Sequence, residues 1–246
     1  MRDKETAIKI KQAGFRYTKG FTLKPTSLNL YCGETVALLG PNGSGKSTLL
    51  KLAGGILKPK EGLIELWGKP IEEYRGTDRA KLVSYLPQVV GIETPLTVFE
   101  VASMGRYPYK GKSARDINDA LSIVGLDSKA DATIKELSGG EQRRSFLAMM
   151  LVQGAGSILL DEPLANLDVK YQLEIIRLSK RLAMEEKVSV TVSMHDIGLA
   201  RLFDRVVVMD QGEIIQQGSP AEVITPGLIK DVFKVEAEEL KSLGLF

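Results

Sequence analysis

Nine residues near the start of the chain limit what it can fold into. Gly40, Pro41, Asn42, Gly43, Ser44, Gly45, Lys46, Ser47 and Thr48 fit the pattern G-x-x-x-x-G-K-[ST]. Such a loop works between a buried strand and a helix, and both flanks suit it. Residues 34–40 read as a buried strand and residues 47–53 as a helix. Gly40, Gly43 and Gly45 lack a Cβ, so the backbone can wrap closely around an anion. Successive N–H groups and the helix N-terminus would then face a β-phosphate. Lys46 is placed to reach the β- and γ-phosphates, and Ser47 to offer its hydroxyl to Mg2+. The expected ligand is a nucleotide with its metal ion.

The hydrophobic pattern around the loop alternates between strand and helix. Residues 7–17 alternate apolar and polar, as an edge strand should, and residues 21–31 repeat the pattern with Leu23, Leu28 and Leu30 apolar. This is an antiparallel β beginning. Further strands are expected at residues 62–67 and 83–86, the second closed by Pro87 and Gln88. From Thr97 to Gly154 the composition turns helical. Thr97 and Glu100 make a capping box. Another helix starts over Ser113–Asp116, carries Ile117, Leu121 and Val124 on one face, and stops at Gly125. A third follows Leu137–Glu141 and runs to about Gln153. The unbroken apolar run before Asp161 predicts a buried parallel strand. An amphipathic helix follows over 168–186, then a strand over 188–193. Residues 205–209 and 213–217 flank Asp210, Gln211 and Gly212, a hairpin signal. Residues 219–233 read as helical, with Ser219 and Pro220 at the start. One domain over residues 1–246 is expected. Its core is residues 1–87 and 156–246, and residues 88–155 form an inserted helical lobe.

The chemistry clusters at strand ends. Asp161 and Glu162 stand at the C-terminal end of a parallel strand, where open α/β sheets keep their ligands. Asp161 suits the Mg2+ shell, and Glu162 is placed to polarise a water for attack on a γ-phosphate. Two adjacent acids beside three phosphates are costly without a metal, so the pair calls for one. His195, the only histidine, also follows a strand. The strands ending at Gly40, Asp161 and Ser193 should meet at one edge, which favours a γ-phosphate contact for His195. Gln88, after a fourth strand, could reach the same metal and water. Ser138, Gly139 and Gly140 make a second helix N-terminus, hence a second anion site. With no second phosphate-loop lysine or strand-end acid pair to accompany it, that site makes sense if it serves a neighbouring subunit's nucleotide. Leu164–Asp168 would lie at the same seam. Tyr17 read alone fits strand packing equally well.

Together these motifs resemble those of the ABC-type ATPases, the nucleotide-binding subunits of membrane transporters, over essentially the whole chain. The matches are Gly40–Thr48 (Walker A), Gln88 (Q-loop), Leu137–Glu141 (signature), Ile158–Glu162 (Walker B), Ala165–Asp168 (D-loop) and His195 (switch), in the family's order. The resemblance implies an α/β fold with a P-loop NTPase (RecA-like) core, an antiparallel β subdomain and an inserted α-helical subdomain. It implies ATP hydrolysis with Mg2+ in a head-to-tail homodimer that holds two ATP molecules at its seam. Glu162, His195 and Gln88 would be catalytic, and Ser47, Gln88 and Asp161 would face the metal. Tyr17 matches the aromatic that stacks on adenine. Glu141-Gln142-Arg143-Arg144 in place of the commoner Gln-rich run after the signature, and Met149 in place of Arg, depart from the family pattern without removing a phosphate contact. A weaker resemblance concerns cargo. Gly105-Arg106-Tyr107-Pro108 looks like the Gly-Arg-x-Pro run of importers of iron chelates, haem and cobalamin. It implies transmembrane permease partners, a substrate-binding protein and a peripheral place on the cytoplasmic face of the inner membrane.

Composition narrows the alternatives. The 33 basic and 31 acidic residues leave a net charge of +2, which gives no support to a nucleic-acid partner. One cysteine, Cys32, excludes an internal disulfide framework and fits a reducing compartment. Met1–Glu5 leads into no apolar segment, so no signal peptide is expected. The longest uncharged stretch, Ser145–Leu160, is too short to span a membrane and carries Gln153, Gly154 and Gly156. Other small importers, of metal ions or amino acids, remain open. So does a soluble ABC ATPase, although such proteins usually carry tandem cassettes or long coiled-coil insertions. A small-molecule kinase has no use for the second anion site at Ser138.

Overall fold

The runs 35–39, 157–160 and 189–194 are buried at every position, as strands covered on both faces must be. The structure, a computed structural model, describes residues 5–18, 20–89, 95–110, 115–165 and 167–234. In chain order these form β1 (Thr6–Arg16), β2 (Thr22–Tyr31), β3 (Thr35–Leu39), α1 (Lys46–Ala53), β4 (Glu61–Leu66), β5 (Lys69–Pro70), α2 (Gly76–Leu82) and β6 (Val83–Leu86). Then come α3 (Val98–Ser103), α4 (Ile117–Ile123), α5 (Gly139–Gln153), β7 (Ser157–Leu160), α6 (Val169–Glu186) and β8 (Ser189–Met194). The remainder is α7 (Ile197–Ala200), β9 (Arg205–Asp210), β10 (Glu213–Gly218), α8 (Pro220–Val223) and α9 (Pro226–Phe233).

A six-stranded sheet runs β10-β9-β3-β8-β7-β6, with β10 antiparallel to β9 and every other pair parallel. An antiparallel four-stranded sheet runs β2-β1-β4-β5. The two-residue period of β3 divides the core. Val36 and Leu38 face Ile8, Ile10, Leu30 and Leu49, between the smaller sheet and α1. Ala37 and Leu39 face the other way, into a core shared with α5 and α6. The fold class is the expected α/β P-loop architecture.

The helices α3, α4 and α5 leave the sheet after β6 and return at β7, its neighbour. They pack on one another, and Val98, Leu121 and Leu147 join the same core as Leu39 and Val192. Thr97 caps α3 with the reciprocal Glu100 bonds of a capping box. Asp116 caps α4, which starts at Ile117. Ser113 and Ala114, taken as part of that helix start, lie outside the described residues.

Two expectations are corrected. The strand over residues 7–17 is not an edge strand, because Ile10 pairs with Leu28 on one side and Ile64 on the other. Alternation reports that one face is buried and is silent on how many neighbours a strand has. The helical segment 219–233 is two short helices. Thr225 is extended (φ −106°, ψ 154°) because the following Pro226 disfavours the helical region there.

Parallel pairing brings the chemistry to one edge. Leu39 lies opposite Met194, Val192 opposite Leu160, and Leu160 opposite Leu86. The segments that leave β3, β6, β7 and β8, carrying Lys46, Gln88, Asp161–Glu162 and His195, therefore emerge together.

Candidate active site

The loop between β3 and α1 is fixed by its own sequence. Gly45 has φ 108°, in the left-handed region, and a Cβ there would come 2.7 Å from the Phe21 ring. This conformation starts α1 directly at Lys46. Lys46 is buried, and its ammonium donates to the carbonyls of Gly40 at 2.8 Å and Pro41 at 3.0 Å. It lies 3.7 Å from the Glu162 carboxylate. Burial lowers its pKa, while Glu162 and Asp161 pull it back up. A buried ammonium with two carbonyls and one distant carboxylate is well placed for an entering anion.

Asp161 is 1% exposed and held by three hydroxyls. Ser47 Oγ donates to Oδ1 at 3.0 Å, Ser193 Oγ to Oδ1 at 2.7 Å, and Tyr85 Oη to Oδ2 at 3.0 Å. Burial, with the Asp161 charge beside it, pushes the Tyr85 hydroxyl well above its usual pKa, so it stays a donor. Ser47 Oγ and Asp161 Oδ1 are hard oxygen donors side by side, the type Mg2+ takes. Glu162 stands at φ 47°, rare for a residue with a side chain. Its N–H donates to Ser193 Oγ at 2.8 Å, and its carboxylate accepts from Gln88 Nε2 at 2.9 Å.

Lys46, Ser47, Gln88 and Glu162 border one cavity of about 290 Å3, which Asn42, Gly43, Tyr17 and Phe21 also line. Tyr17 is 37% exposed, packs edge-to-face on Phe15 at 4.9 Å, and sets its hydroxyl 3.5 Å from Thr48 Oγ1. It also borders an open cleft of about 810 Å3 with Arg16, Thr22 and Lys60. Ser44 is buried, and its Oγ has no hydrogen-bond partner among the described residues. His195 is exposed and lines a smaller cavity with Glu162 and Ser193.

Ser138, Gly139 and Gly140 lie elsewhere. Ser138 caps α5, with its Oγ donating to Glu141 Oε2 at 2.9 Å. Lys129 at 2.6 Å, with the Ser138 N–H, holds the Glu141 pKa down to about 2. The three residues border a separate cavity of about 440 Å3 with Ala165, Leu167 and Asp168. Asn166 lies outside the described residues. Gln88 lines both cavities, and Lys46 only the first.

Three bonded partners at this site escape the sequence. Tyr85, which donates to Asp161, reads only as part of a strand, and Ser193 only as the residue that ends one. Arg143 reads only as a variant residue that removes no contact. Its α5 position puts it 8% exposed, with Nη2 on the carbonyls of Gln88 (2.9 Å) and Asp161 (3.3 Å).

The family model for the ABC transporter matches residues 23–165, which include the phosphate loop, Ser138 and Glu162. The chain belongs to this family. It is similar to a hemin import ATP-binding protein of Bordetella avium, 41% identical over 230 residues, covering 89% of this chain and 88% of that one. A petrobactin import ATP-binding protein of Bacillus anthracis is 36% identical over 239 residues, covering 94% and 88%. Among solved structures, an ATP-binding cassette dimer in a post-hydrolysis state, bound to ADP and Pi, superposes with TM-score 0.79. It shares 29% identity and covers 87% of this chain and 98% of that one. This ABC cassette is an ATPase. Among its described residues no helix is long and apolar enough to cross a membrane.

Proposed function

We propose that the chain is the ATP-binding subunit of an importer of an iron chelate, haem or cobalamin. It acts as a head-to-tail homodimer under transmembrane permease subunits, on the cytoplasmic face of the inner membrane. A substrate-binding protein delivers the cargo, and no nucleic acid takes part. The observation that carries the dimer is the separation of two half-sites. Lys46, Ser47 and Glu162 line one cavity, with Asp161 bonded to Ser47, while Ser138–Gly140 border another. Each half-site is incomplete alone, and a second copy turned head to tail supplies the missing half. Hemin and petrobactin are the cargoes named for two relatives, which supports the cargo class.

Within each composite site the loop N–H groups and Lys46 hold the β- and γ-phosphates. Ser47 and Asp161 would hold Mg2+, with Gln88 in reach, and the ion would neutralise phosphate charge. Glu162 accepts a proton from the attacking water, oriented by Gln88 and His195. Ser138 of the other copy, with the amides of Gly139 and Gly140, faces the γ-phosphate. For this the Ser138 hydroxyl must turn from Glu141 to the phosphate.

Tyr17 stacks on adenine. Tyr17→Ala is expected to raise the KM for ATP with little change in kcat, since a stack acts equally on ground and transition states. The loss is ~1–3 kcal/mol by analogy with base–aromatic stacking. Steady-state kinetics check this, and an unchanged KM returns Tyr17 to simple packing.

The 105–108 run meets the permease. Gly105 lies so close to α5 that a Cβ would stand 2.3 Å from the Met149 carbonyl, and Pro108 is buried. Arg106 is half-buried, with its Nε enclosed and without a partner among the described residues, whereas Tyr107 is 78% exposed. Tyr107 is therefore the cleaner probe. Tyr107→Asp is expected to cut transport about ten-fold or more, the scale of an interface anchor, and to spare the isolated subunit's ATPase. Wild-type transport in proteoliposomes would remove the coupling role.

A further inference from the structure

Glu162 owes its aim to the peptide bond before it. That peptide is held at both ends. Its carbonyl, from Asp161, accepts from Arg143 Nη2 at 3.3 Å. Its N–H, from Glu162, donates to Ser193 Oγ at 2.8 Å. Ser193 Oγ in turn donates to Asp161 Oδ1 at 2.7 Å, and the Asp161 N–H donates to the Leu86 carbonyl at 2.9 Å. The residue so restrained is the one with φ 47°. A strained backbone persists only where its surroundings over-determine it, and this peptide meets that condition. Arg143 comes from α5, five residues after Ser138, and the same Nη2 donates to the Gln88 carbonyl at 2.9 Å. The Gln88 side chain then closes the circuit on the Glu162 carboxylate. A guanidinium 8% exposed and seated on backbone carbonyls is an unusual expenditure of a charge in plain packing.

We propose that Arg143 and Ser193 are positioning residues for hydrolysis. They clamp the Asp161–Glu162 peptide in the orientation that aims the Glu162 carboxylate into the phosphate cavity. Arg143 also ties that orientation to α5, the helix that presents Ser138. The clamp rests on the reading of Glu162 as general base.

The test is steady-state ATPase kinetics and fluorescent-ATP binding on the full chain carrying Ser193→Ala, Ser193→Thr, Arg143→Gln or Glu162→Gln. Loss of aim by a fraction of an ångström to 1 Å should lower kcat about 10–100-fold in Ser193→Ala and Arg143→Gln. The KM for ATP should stay within about two-fold, because neither side chain meets the nucleotide. Ser193→Thr keeps the hydroxyl and should restore most of kcat, which a purely steric role would not do. If Arg143→Gln fails to bind ATP, the Ser193 pair decides alone. Wild-type kcat in Ser193→Ala, or failure of Ser193→Thr to rescue, overturns the clamp while Glu162→Gln is inactive. An active Glu162→Gln overturns the general base, and the clamp with it.

Discussion

Glu162→Gln is expected to bind ATP and leave it almost unhydrolysed. The amide keeps the shape of the side chain and can still accept from Gln88, now 2.9 Å from Oε2. Its backbone bond to Ser193 is untouched, so the strained turn survives. What is lost is the basic oxygen that takes the proton from water. Removing a general base typically costs about 10²–10⁴-fold in rate, or roughly 3–5 kcal/mol of barrier. The charge opposite Lys46 also disappears, which leaves that ammonium free for phosphate. ATP affinity should therefore hold or rise. Single-turnover release of γ-phosphate checks the rate and equilibrium nucleotide binding checks the affinity. Hydrolysis near the wild-type rate would strip Glu162 of its role.

Much of this site was legible because its parts are local. A glycine-rich loop between strand and helix, and two acids after an apolar strand, are set by neighbours in sequence. The meeting of strand ends followed from parallel β pairing. What could not be read was side-chain partnership across the fold. Ser193 and Asp161 are 32 positions apart, and Arg143 and Gln88 are 55 apart. No spacing rule connects such pairs. The signal for Arg143 was a charge among the core-facing residues Phe146, Leu147 and Met150 of α5. That signal says a buried partner exists without saying where. The place of β1 in its sheet was misread for a similar reason, since the alternation of Ile8 and Ile10 reports a face and not a neighbour. The left-handed turn at Glu162 had no glycine to announce it.

The most direct measurement concerns the sharing of sites between two copies. Consider Lys46→Ala and Ser138→Arg, each built on Glu162→Gln to stop turnover. A homodimer of either variant has both composite sites broken, each by one lesion. In a mixed dimer the lesions fall together in one site and leave the other with an intact Lys46 and an intact Ser138. Ser138→Arg removes a helix cap worth about 1 kcal/mol, and retained ATP binding by that chain alone shows that it still folds. ATP-dependent dimerisation, followed by size-exclusion chromatography, is expected to be absent for each variant separately and to recover in part on mixing. If Ser138 acted on its own chain's nucleotide, every site of a mixed dimer would keep one lesion. Mixing would then restore nothing, and that result would contradict the shared site.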